Sequence, residues 1–265
     1  MELNLQASPS DEILSCQCLS VSSGSSSILQ DLDFLIRKGE VHALVGESGS
    51  GKSTFANTVL GLLPEPLRAS WDRFRIFGEE IRSGDFRAWK NWRGRRISLI
   101  PQSAAIGLHP FLSIGSQMQE YFSLIQPSLA SKREGLRLLK EFGLIDPEAA
   151  WESRPHQLSG GERQRVLVLL SVYSGAELIL ADEPSSALDP ETGKAILELL
   201  QSRIRESKAG LLFISHDLSS ARELADTITV LQSGKRVETL NKTNNGWEPG
   251  SEYARKLFAL DENLA

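Results

Sequence analysis

An α/β fold with a parallel sheet is predicted for this chain of 265 residues, because apolar strands alternate with helical patterns in its second half. The strand-like runs are 178–181, 211–215 and 228–231, and the helical patterns among them are 191–206 and 218–225. A glycine-rich turn set between a strand-like run and a helical pattern points the same way. With 40% hydrophobic residues, the chain has enough apolar side chains for a substantial core.

An antiparallel β layer is predicted for the first third of the chain. Strand-like stretches at 13–21, 32–36, 41–45 and 74–77 are spaced by Ser/Gly and Lys-Gly turns. Residues 22–27 are rich in serine and glycine and are expected to form a loop.

Helical elements are predicted in two further places. Helical spacing from about 111 to 151, punctuated by prolines, indicates an inserted helical subdomain. After a polar loop at 241–250, residues 251–260 are expected to form a last helix.

A basic and aromatic segment at 86–96 has two interpretations, a nucleic-acid patch or a short amphipathic helix. In the second, Phe86, Trp89 and Trp92 pack inward beneath a solvated basic face. The formal net charge of −5 argues against nucleic acid as a partner of the whole chain. We therefore favour the helix.

Cysteine usage and hydropathy exclude several classes. Cys16 and Cys18 are too few for a zinc site or a disulfide framework, and we expect both to be buried free thiols in a reducing compartment. The first residues contain no basic stretch followed by an apolar run, so we expect no signal peptide. No run approaches the roughly 20 apolar residues of a membrane span. Membrane association is expected only through a partner.

The sequence Gly-x-x-x-x-Gly-Lys-Ser at 46–53, here called the phosphate loop, predicts a site for nucleotide phosphates. Its glycines let backbone N–H groups approach phosphate oxygens at a positive helix end. We expect Lys52 to reach the β- and γ-phosphates and Ser53 to offer its hydroxyl to Mg2+. An ordinary glycine-rich turn is the alternative. The expected cradle consists of Gly46, Glu47, Ser48, Gly49, Ser50, Gly51, Lys52, Ser53 and Thr54.

Two further motifs carry candidate chemistry. The apolar run 178–181 ends in Asp182 and Glu183, at the strand edge where α/β sheets bind ligands. Asp182 can hold Mg2+, and Glu183 can polarise a water as general base; the alternative is a solvated acidic turn. Ser159 is a good N-cap before Gly160 and Gly161, whose N–H groups could meet an anion. As a bare pattern this could equally be an ordinary helix start.

In their order and spacing, these motifs resemble those of the ATP-binding subunits of ABC transporters, over nearly the whole chain. Residues 158–162 match the family signature, Gln102 the glutamine loop, Ser186-Ala187-Leu188-Asp189 the D-loop, and His216 the switch histidine. The resemblance implies a P-loop NTPase core with the antiparallel layer and helical subdomain described above. It implies one ATPase domain with a RecA-like core at 1–103 and 160–240, a helical subdomain at 104–159 and a tail at 241–265.

The resemblance further implies a head-to-tail dimer that holds two ATP molecules between its subunits. Residues 46–54 of one subunit would bind the phosphates, while Ser159, Gly160 and Gly161 of the other close on the γ-phosphate. Gln102 would sense Mg2+ and the attacking water, His216 would contact the γ-phosphate, and Asp189 would link the two sites. The second ATPase subunit would be a copy of this chain or a paralogue.

Closure on ATP would drive two membrane permease subunits held in a groove near Gln102, with an extracytoplasmic substrate-binding protein as an indirect partner. The expected location is the cytoplasmic face of the bacterial inner membrane, bound peripherally. Residues 93–102, 154–158 and 252–257 are similar to the importer group for peptides, nickel or metal chelates.

Several departures from the family pattern have consequences. Ser103-Ala104 replaces Asp-Pro after the glutamine and His109 replaces Asn, so contacts to the permease are expected to be particular to this chain. No aromatic residue stands near Ser22 or Ser23, where the family stacks adenine; either adenine discrimination is weak or a ring comes from elsewhere.

Two other functions compete with that of an importer subunit. One is a soluble ABC-type ATPase of DNA repair, translation or cluster assembly. The short spacing between the phosphate loop and the signature, without a long coiled coil, argues against the repair class. The other is a regulatory subunit with little catalysis, which the presence of Glu183 and His216 argues against.

Overall fold

One twisted sheet of eleven strands organises the computed structural model, which describes residues 11–82, 87–185 and 188–262. The strands are β1 (Glu12–Ser23), β2 (Ser26–Arg37), β3 (Val41–Val45), β4 (Arg68–Ser70), β5 (Arg73–Ile76), β6 (Glu79–Glu80), β7 (Ile97–Ile100), β8 (Leu178–Asp182), β9 (Gly210–Ser215), β10 (Thr227–Gln232) and β11 (Lys235–Asn241).

The helices are α1 (Lys52–Val59), α2 (Arg87–Trp92), α3 (Ala104–Gly107), α4 (Ile114–Ile125), α5 (Lys132–Glu141), α6 (Pro147–Glu152), α7 (Gly160–Val172), α8 (Pro190–Ser207), α9 (Leu218–Leu224) and α10 (Glu252–Glu262). Short 3-10 turns lie at Pro127–Leu129 and Pro155–Gln157. The helices α3 to α6 follow one another without an intervening strand, as expected for a helical insertion.

The predicted α/β fold is confirmed by the order of the strands. The parallel part runs β10-β3-β9-β8-β7, and the antiparallel part runs β6-β5-β1-β2. β11 joins them, because it pairs antiparallel with β10 and parallel with β2. The antiparallel layer is thus continuous with the parallel sheet, but the prediction of 41–45 as one of its members was wrong, because β3 pairs parallel with β9 and β10.

Both faces of the parallel sheet are covered, and its strands are mostly apolar and buried. Val41–Val45 is fully buried, with Val41, Ala43 and Val45 facing one core and Leu44 the other. That alternation follows from the two-residue period of a strand. The first core holds the helical insertion and α7 to α10, and the second holds α1, α2 and the first strands.

Two sequence expectations about β1 were wrong. Residues 22–27 are mostly strand rather than loop, since β1 ends at Ser23 and β2 begins at Ser26. Cys16 is buried, but Cys18 is exposed. The pairing register shifts between Cys16 and Leu19, and Cys18 has a φ of 52°, so the alternation that would bury it is interrupted.

The short amphipathic helix is confirmed for its described residues, because Trp89 and Trp92 are buried. Trp89 also donates its indole N–H to the carbonyl of Val59 at 2.8 Å. Phe86 lies outside the described residues. Within the described part of the chain, none of the helices has the length and apolar character needed to cross a bilayer.

Candidate nucleotide site

The predicted site residues converge because three parallel strands end at one edge of the sheet. β3 ends at Val45, which lies opposite Ser215 at the end of β9. β8 ends at Asp182, opposite Ile214. The phosphate loop, the acidic pair and His216 each follow one of these ends, so the fold places them side by side.

The phosphate loop has a backbone that only glycine can adopt at two positions. Gly46 has a φ of 153°, and a Cβ there would lie 2.2 Å from the carbonyl oxygen of Leu231. Gly51 has a φ of 105°, and its Cβ would lie 2.5 Å from a methyl carbon of Leu29. The loop is therefore shaped by the sheet packed beneath it.

Lys52 lies at the centre of this loop and is only 6% exposed. Its Nζ donates to the carbonyl oxygens of Gly46 at 2.7 Å and Glu47 at 2.9 Å. Burial lowers the pKa of the ammonium, while the nearby carboxylates of Glu183 and Asp182 oppose that shift. The loop thus surrounds a desolvated positive charge, which suits a polyphosphate.

Asp182 and Ser53 form the pair of oxygen donors predicted for Mg2+. The Ser53 side chain lies near the Asp182 carboxylate. Burial raises the pKa of Asp182, the charge of Glu183 raises it further, and Lys52 and Ser53 lower it. A hydroxyl, a carboxylate and phosphate oxygens are hard donors of the kind that Mg2+ prefers. The residues present therefore fit this ion.

The Glu183 carboxylate accepts hydrogen bonds from residues of two motifs that are distant in sequence. Gln102 donates its Nε2–H to Oε2 at 2.8 Å, and His216 donates its Nδ1–H to Oε1 at 2.8 Å. The Glu183 backbone has a φ of 48°, and its N–H donates to the carbonyl of Ile214 at 2.9 Å. Sequence motifs nominated all three side chains, but no sequence signal indicated that Gln102 and His216 bind the same carboxylate.

The signature turn (residues 159–161) is built in a different way from the phosphate loop. The Ser159 hydroxyl accepts from the N–H of Glu162 at 3.2 Å, and the Glu162 carboxylate accepts from the N–H of Ser159 at 2.9 Å. This capping box fixes the start of α7. Ser159 and Gly160 are exposed, and a Cβ on Gly160 would meet nothing within 4 Å.

A cleft of about 550 Å³ joins part of the signature turn to the candidate catalytic residues. Gly160 lines it together with Gln102, Glu183 and His216. Among the described residues, the hydrogen bonds of Ser159 stay within its own helix turn and do not reach the phosphate loop. One chain thus brings together the loop, Asp182, Glu183, Gln102 and His216, and leaves the signature turn at the rim.

Asp189 caps the next helix. Its Oδ1 accepts from the N–H of Thr192 at 2.9 Å at the start of α8. Hydrogen bonds from Thr192 lower the pKa of the Asp189 carboxyl. Ser186 and Ala187 of the predicted D-loop lie outside the described residues. A link from Asp189 to a second site stays a prediction.

The expected position for an adenine-stacking ring is a plain strand end. Ser22 and Ser23 end β1 and pair with Ser27 and Ser26 across the hairpin. They are half-buried and carry no ring.

Comparisons with known proteins agree with this geometry. Residues 29–186 match the family model described as "ABC transporter". The chain is 36% identical over 234 residues to the oligopeptide transport ATP-binding protein OppD of Lactococcus lactis, covering 87% of this chain and 69% of that protein. It is 32% identical over 258 residues to the dipeptide transport ATP-binding protein DppD of Bacillus subtilis, covering 94% and 76%.

Other matches cover a smaller share of the relative or extend to solved structures. The peptidoglycan transport ATP-binding protein YejF of Agrobacterium fabrum is 37% identical over 256 residues, which is 94% of this chain but 47% of that protein. The dimeric ATP-binding cassette MJ0796, in a post-hydrolysis state with ADP and phosphate, superposes with a TM-score of 0.72 at 25% identity, over 86% of this chain and 98% of that one.

Proposed function

The chain belongs to the ABC transporter family, and we propose that it is the ATP-binding and ATP-hydrolysing subunit of an importer for peptides. One observation carries the enzymatic part of this proposal. Glu183 accepts hydrogen bonds from both Gln102 and His216 at the strand edge that also holds Lys52 and Asp182. A base, its two orienting groups and a phosphate-binding cation are thus assembled in one chain.

The proposed substrate class rests on the relatives. Two of them are named for oligopeptide and dipeptide transport, and a third for peptidoglycan transport. These names favour peptides over nickel or metal chelates, which the sequence alone left open.

The residues divide the hydrolytic work among them. Residues 46–54 bind the phosphates, with Lys52 balancing their charge, and Ser53 and Asp182 would hold Mg2+, with Gln102 nearby. When bound, that ion neutralises charge that develops on the phosphate oxygens. Glu183 takes the proton of the attacking water, and Gln102 and His216 hold its carboxylate in one orientation. Positioning and electrostatics supply most of the rate.

A second subunit is proposed to complete the site. Ser159 and Gly160 are exposed, and a Cβ on Gly160 would meet nothing within 4 Å, so the turn of Ser159, Gly160 and the half-buried Gly161 can approach the γ-phosphate held by another ATPase subunit, either a copy or a paralogue. Asp189 would lie between the two sites. The MJ0796 cassette, of similar fold, is a dimer.

A groove of about 620 Å³ is the proposed contact with the two permease subunits. It lies between β7 and the helices α3 and α4, and several of the apolar side chains that line it are exposed, which is uncommon for a surface that stays in water. They include Leu62, Leu99, Leu112 and Leu124. His109 also lines the groove, and its backbone N–H donates to Gln117 Oε1 at 2.7 Å. The position where His109 replaces the family's Asn therefore faces the proposed partner.

We further propose that this assembly lies on the cytoplasmic face of the bacterial inner membrane, with a substrate-binding protein as indirect partner. Within the chain, the core would comprise 1–103 and 160–240, the helical subdomain 104–159 and the tail 241–265.

Co-purification tests the proposal. The tagged chain is expressed with the genes that neighbour it, the complex is extracted in detergent, and its subunits are identified by mass spectrometry. We expect two permease subunits and a magnesium-dependent ATPase activity. Recovery of ribosomes or DNA-repair proteins in place of permeases would support the soluble class and contradict the importer. Leu124→Ser removes an exposed apolar side chain from the groove and should weaken permease binding. Leu62→Met, which keeps an apolar side chain in the same groove, is the control and should not weaken it.

A further inference from the structure

The carboxylate of Glu141 joins three structural elements far from the nucleotide site. Oε2 accepts from Arg137 Nη1 at 2.8 Å, and Oε1 accepts from the Tyr173 hydroxyl at 2.7 Å. Oε1 also accepts from Arg203 Nη2. Arg137 belongs to α5, as Glu141 does, whereas Tyr173 caps α7 and Arg203 lies in α8. A single side chain therefore connects the helical insertion and the end of α7 to α8.

Further contacts surround the same corner of the molecule. The ring of Tyr173 packs edge-on against Phe142 with centroids 6.0 Å apart, and the guanidinium of Arg203 lies 5.7 Å from the Tyr173 ring. Arg165 of α7 donates to the carbonyl oxygens of Phe142 at 3.2 Å and Gly143 at 3.0 Å. The chain segment that ends α5 is thus held to α7 and α8 by polar groups.

This network is half-buried, which restricts the conformations that its side chains can adopt. The side chains of Glu141 and Arg203 are 23% and 27% exposed. Hydrogen bonds in a partly desolvated network reinforce one another, and their partners lose less free energy to solvent competition than an exposed ion pair does. Burial and then the hydrogen bond to Glu141 raise the pKa of Tyr173, so its hydroxyl remains a donor at neutral pH.

The network lies at the opposite end of the helix that presents the signature turn. α7 begins at Gly160 and ends at Val172, immediately before Tyr173. A helix of 13 residues is about 20 Å long, so a tilt of about 10° about its C-terminal end would move its N-terminal end by about 3 Å. That displacement exceeds the tolerance of a hydrogen bond to a phosphate.

We propose that Glu141 is a positioning residue that fixes the orientation of the helical insertion and α7, and thereby the place of Ser159, Gly160 and Gly161 in the composite site. The inference rests on the proposed function, in which these residues close on a nucleotide held by the other subunit. Glu141 touches no nucleotide in this scheme and acts through α7.

Distance measurements between spin labels test the proposal directly. Labels are attached at cysteines introduced at Ala149 in α6 and Glu198 in α8, both exposed, in a Cys18→Ser background where Cys16 is buried. The unmodified network should give one narrow distance distribution. Glu141→Ala and Arg203→Gln should broaden it. Arg137→Gln is the matched control and should retain the narrow distribution, because the Arg137 bond to Glu141 lies within α5.

Activity measurements supply the second readout. In the complete transport complex, Glu141→Ala and Arg203→Gln should lower ATP turnover about tenfold or more and leave the ATP dissociation constant within about twofold, since misplacement of a contacting group affects the closed state alone. A merely structural role would lower thermal stability without widening the distances. Should Glu141→Ala fail to fold, Arg203→Gln and Tyr173→Phe carry the same test.

The outcomes separate this inference from the function on which it rests. Distributions of equal width in the native chain, Glu141→Ala and Arg203→Gln would overturn the positioning role. Absence of ATP binding by the native chain would instead overturn the proposed function, whereas the distances would still report whether the network holds the two parts together.

Discussion

The phosphate loop and the signature turn are both glycine-containing helix starts, yet the structure builds them in opposite ways. Gly46, Gly51 and Lys52 are buried, and the loop backbone is moulded against Leu231 and Leu29. Ser159 and Gly160 are exposed, and a local capping box shapes the turn. The contrast suggests that the fold dictates the first half-site, whereas the second is left accessible to a partner.

The largest expected effect comes from replacing the proposed base, which lies beside the phosphate loop. Glu183→Gln removes the proposed base and keeps one of its two acceptor oxygens, so turnover should fall by about 10²- to 10⁴-fold while ATP binding persists. Phosphate release and calorimetric binding measure the two quantities. Glu198→Gln, which changes an exposed carboxylate on α8, is the matched control. Unchanged hydrolysis by Glu183→Gln would refute the assignment of the base.

Alanine at one glycine of each half-site sharpens the comparison. Gly46→Ala should lower the free energy of unfolding by at least about 2 kcal/mol, because the new Cβ is strained and meets the backbone of Leu231. Gly160→Ala should change that free energy by less than about 0.5 kcal/mol and still reduce turnover. Chemical denaturation measures both. Equal destabilisation by the two variants would show that the signature turn is packed against the fold as tightly as the phosphate loop is.

The smallest expected effect concerns the base of the nucleotide. The loop offers many groups to phosphates, but Ser22 and Ser23 offer no ring, and stacking on a ring is worth about 1–3 kcal/mol. We expect the dissociation constants of ATP and GTP to agree within roughly threefold. Titration with fluorescent analogues of both nucleotides measures the ratio. A strong preference for ATP would indicate that a ring is supplied from elsewhere.

The positions of the site residues could be predicted because they depend on strand order alone. A parallel sheet places the ends of β3, β8 and β9 at one edge, so the loop that carries Lys52, the strand end at Asp182 and His216 were expected to lie close together. The glycines of the phosphate loop were likewise readable, since a positive φ and a close backbone approach leave little choice of residue.

Contacts that depend on loop conformation could not be predicted. Gln102 and His216 are 81 and 33 residues away from Glu183 along the chain, and they meet at a residue whose φ of 48° the sequence does not indicate. The exposure of Cys18 depends on an irregularity in strand pairing. β11 was missed because its residues are mostly half-buried and lack a clear apolar alternation.

The composite site is the central claim, and ATP-driven association tests it most directly. The Glu183→Gln variant of this 29.2 kDa chain is examined by light scattering with and without ATP, alone and mixed with the ATPase subunit that co-purifies with the permeases. We predict an ATP-dependent dimer in one of these two conditions, and its loss on adding Gly160→Trp, which obstructs the signature turn but retains ATP binding. A monomer with ATP bound under both conditions would contradict the account.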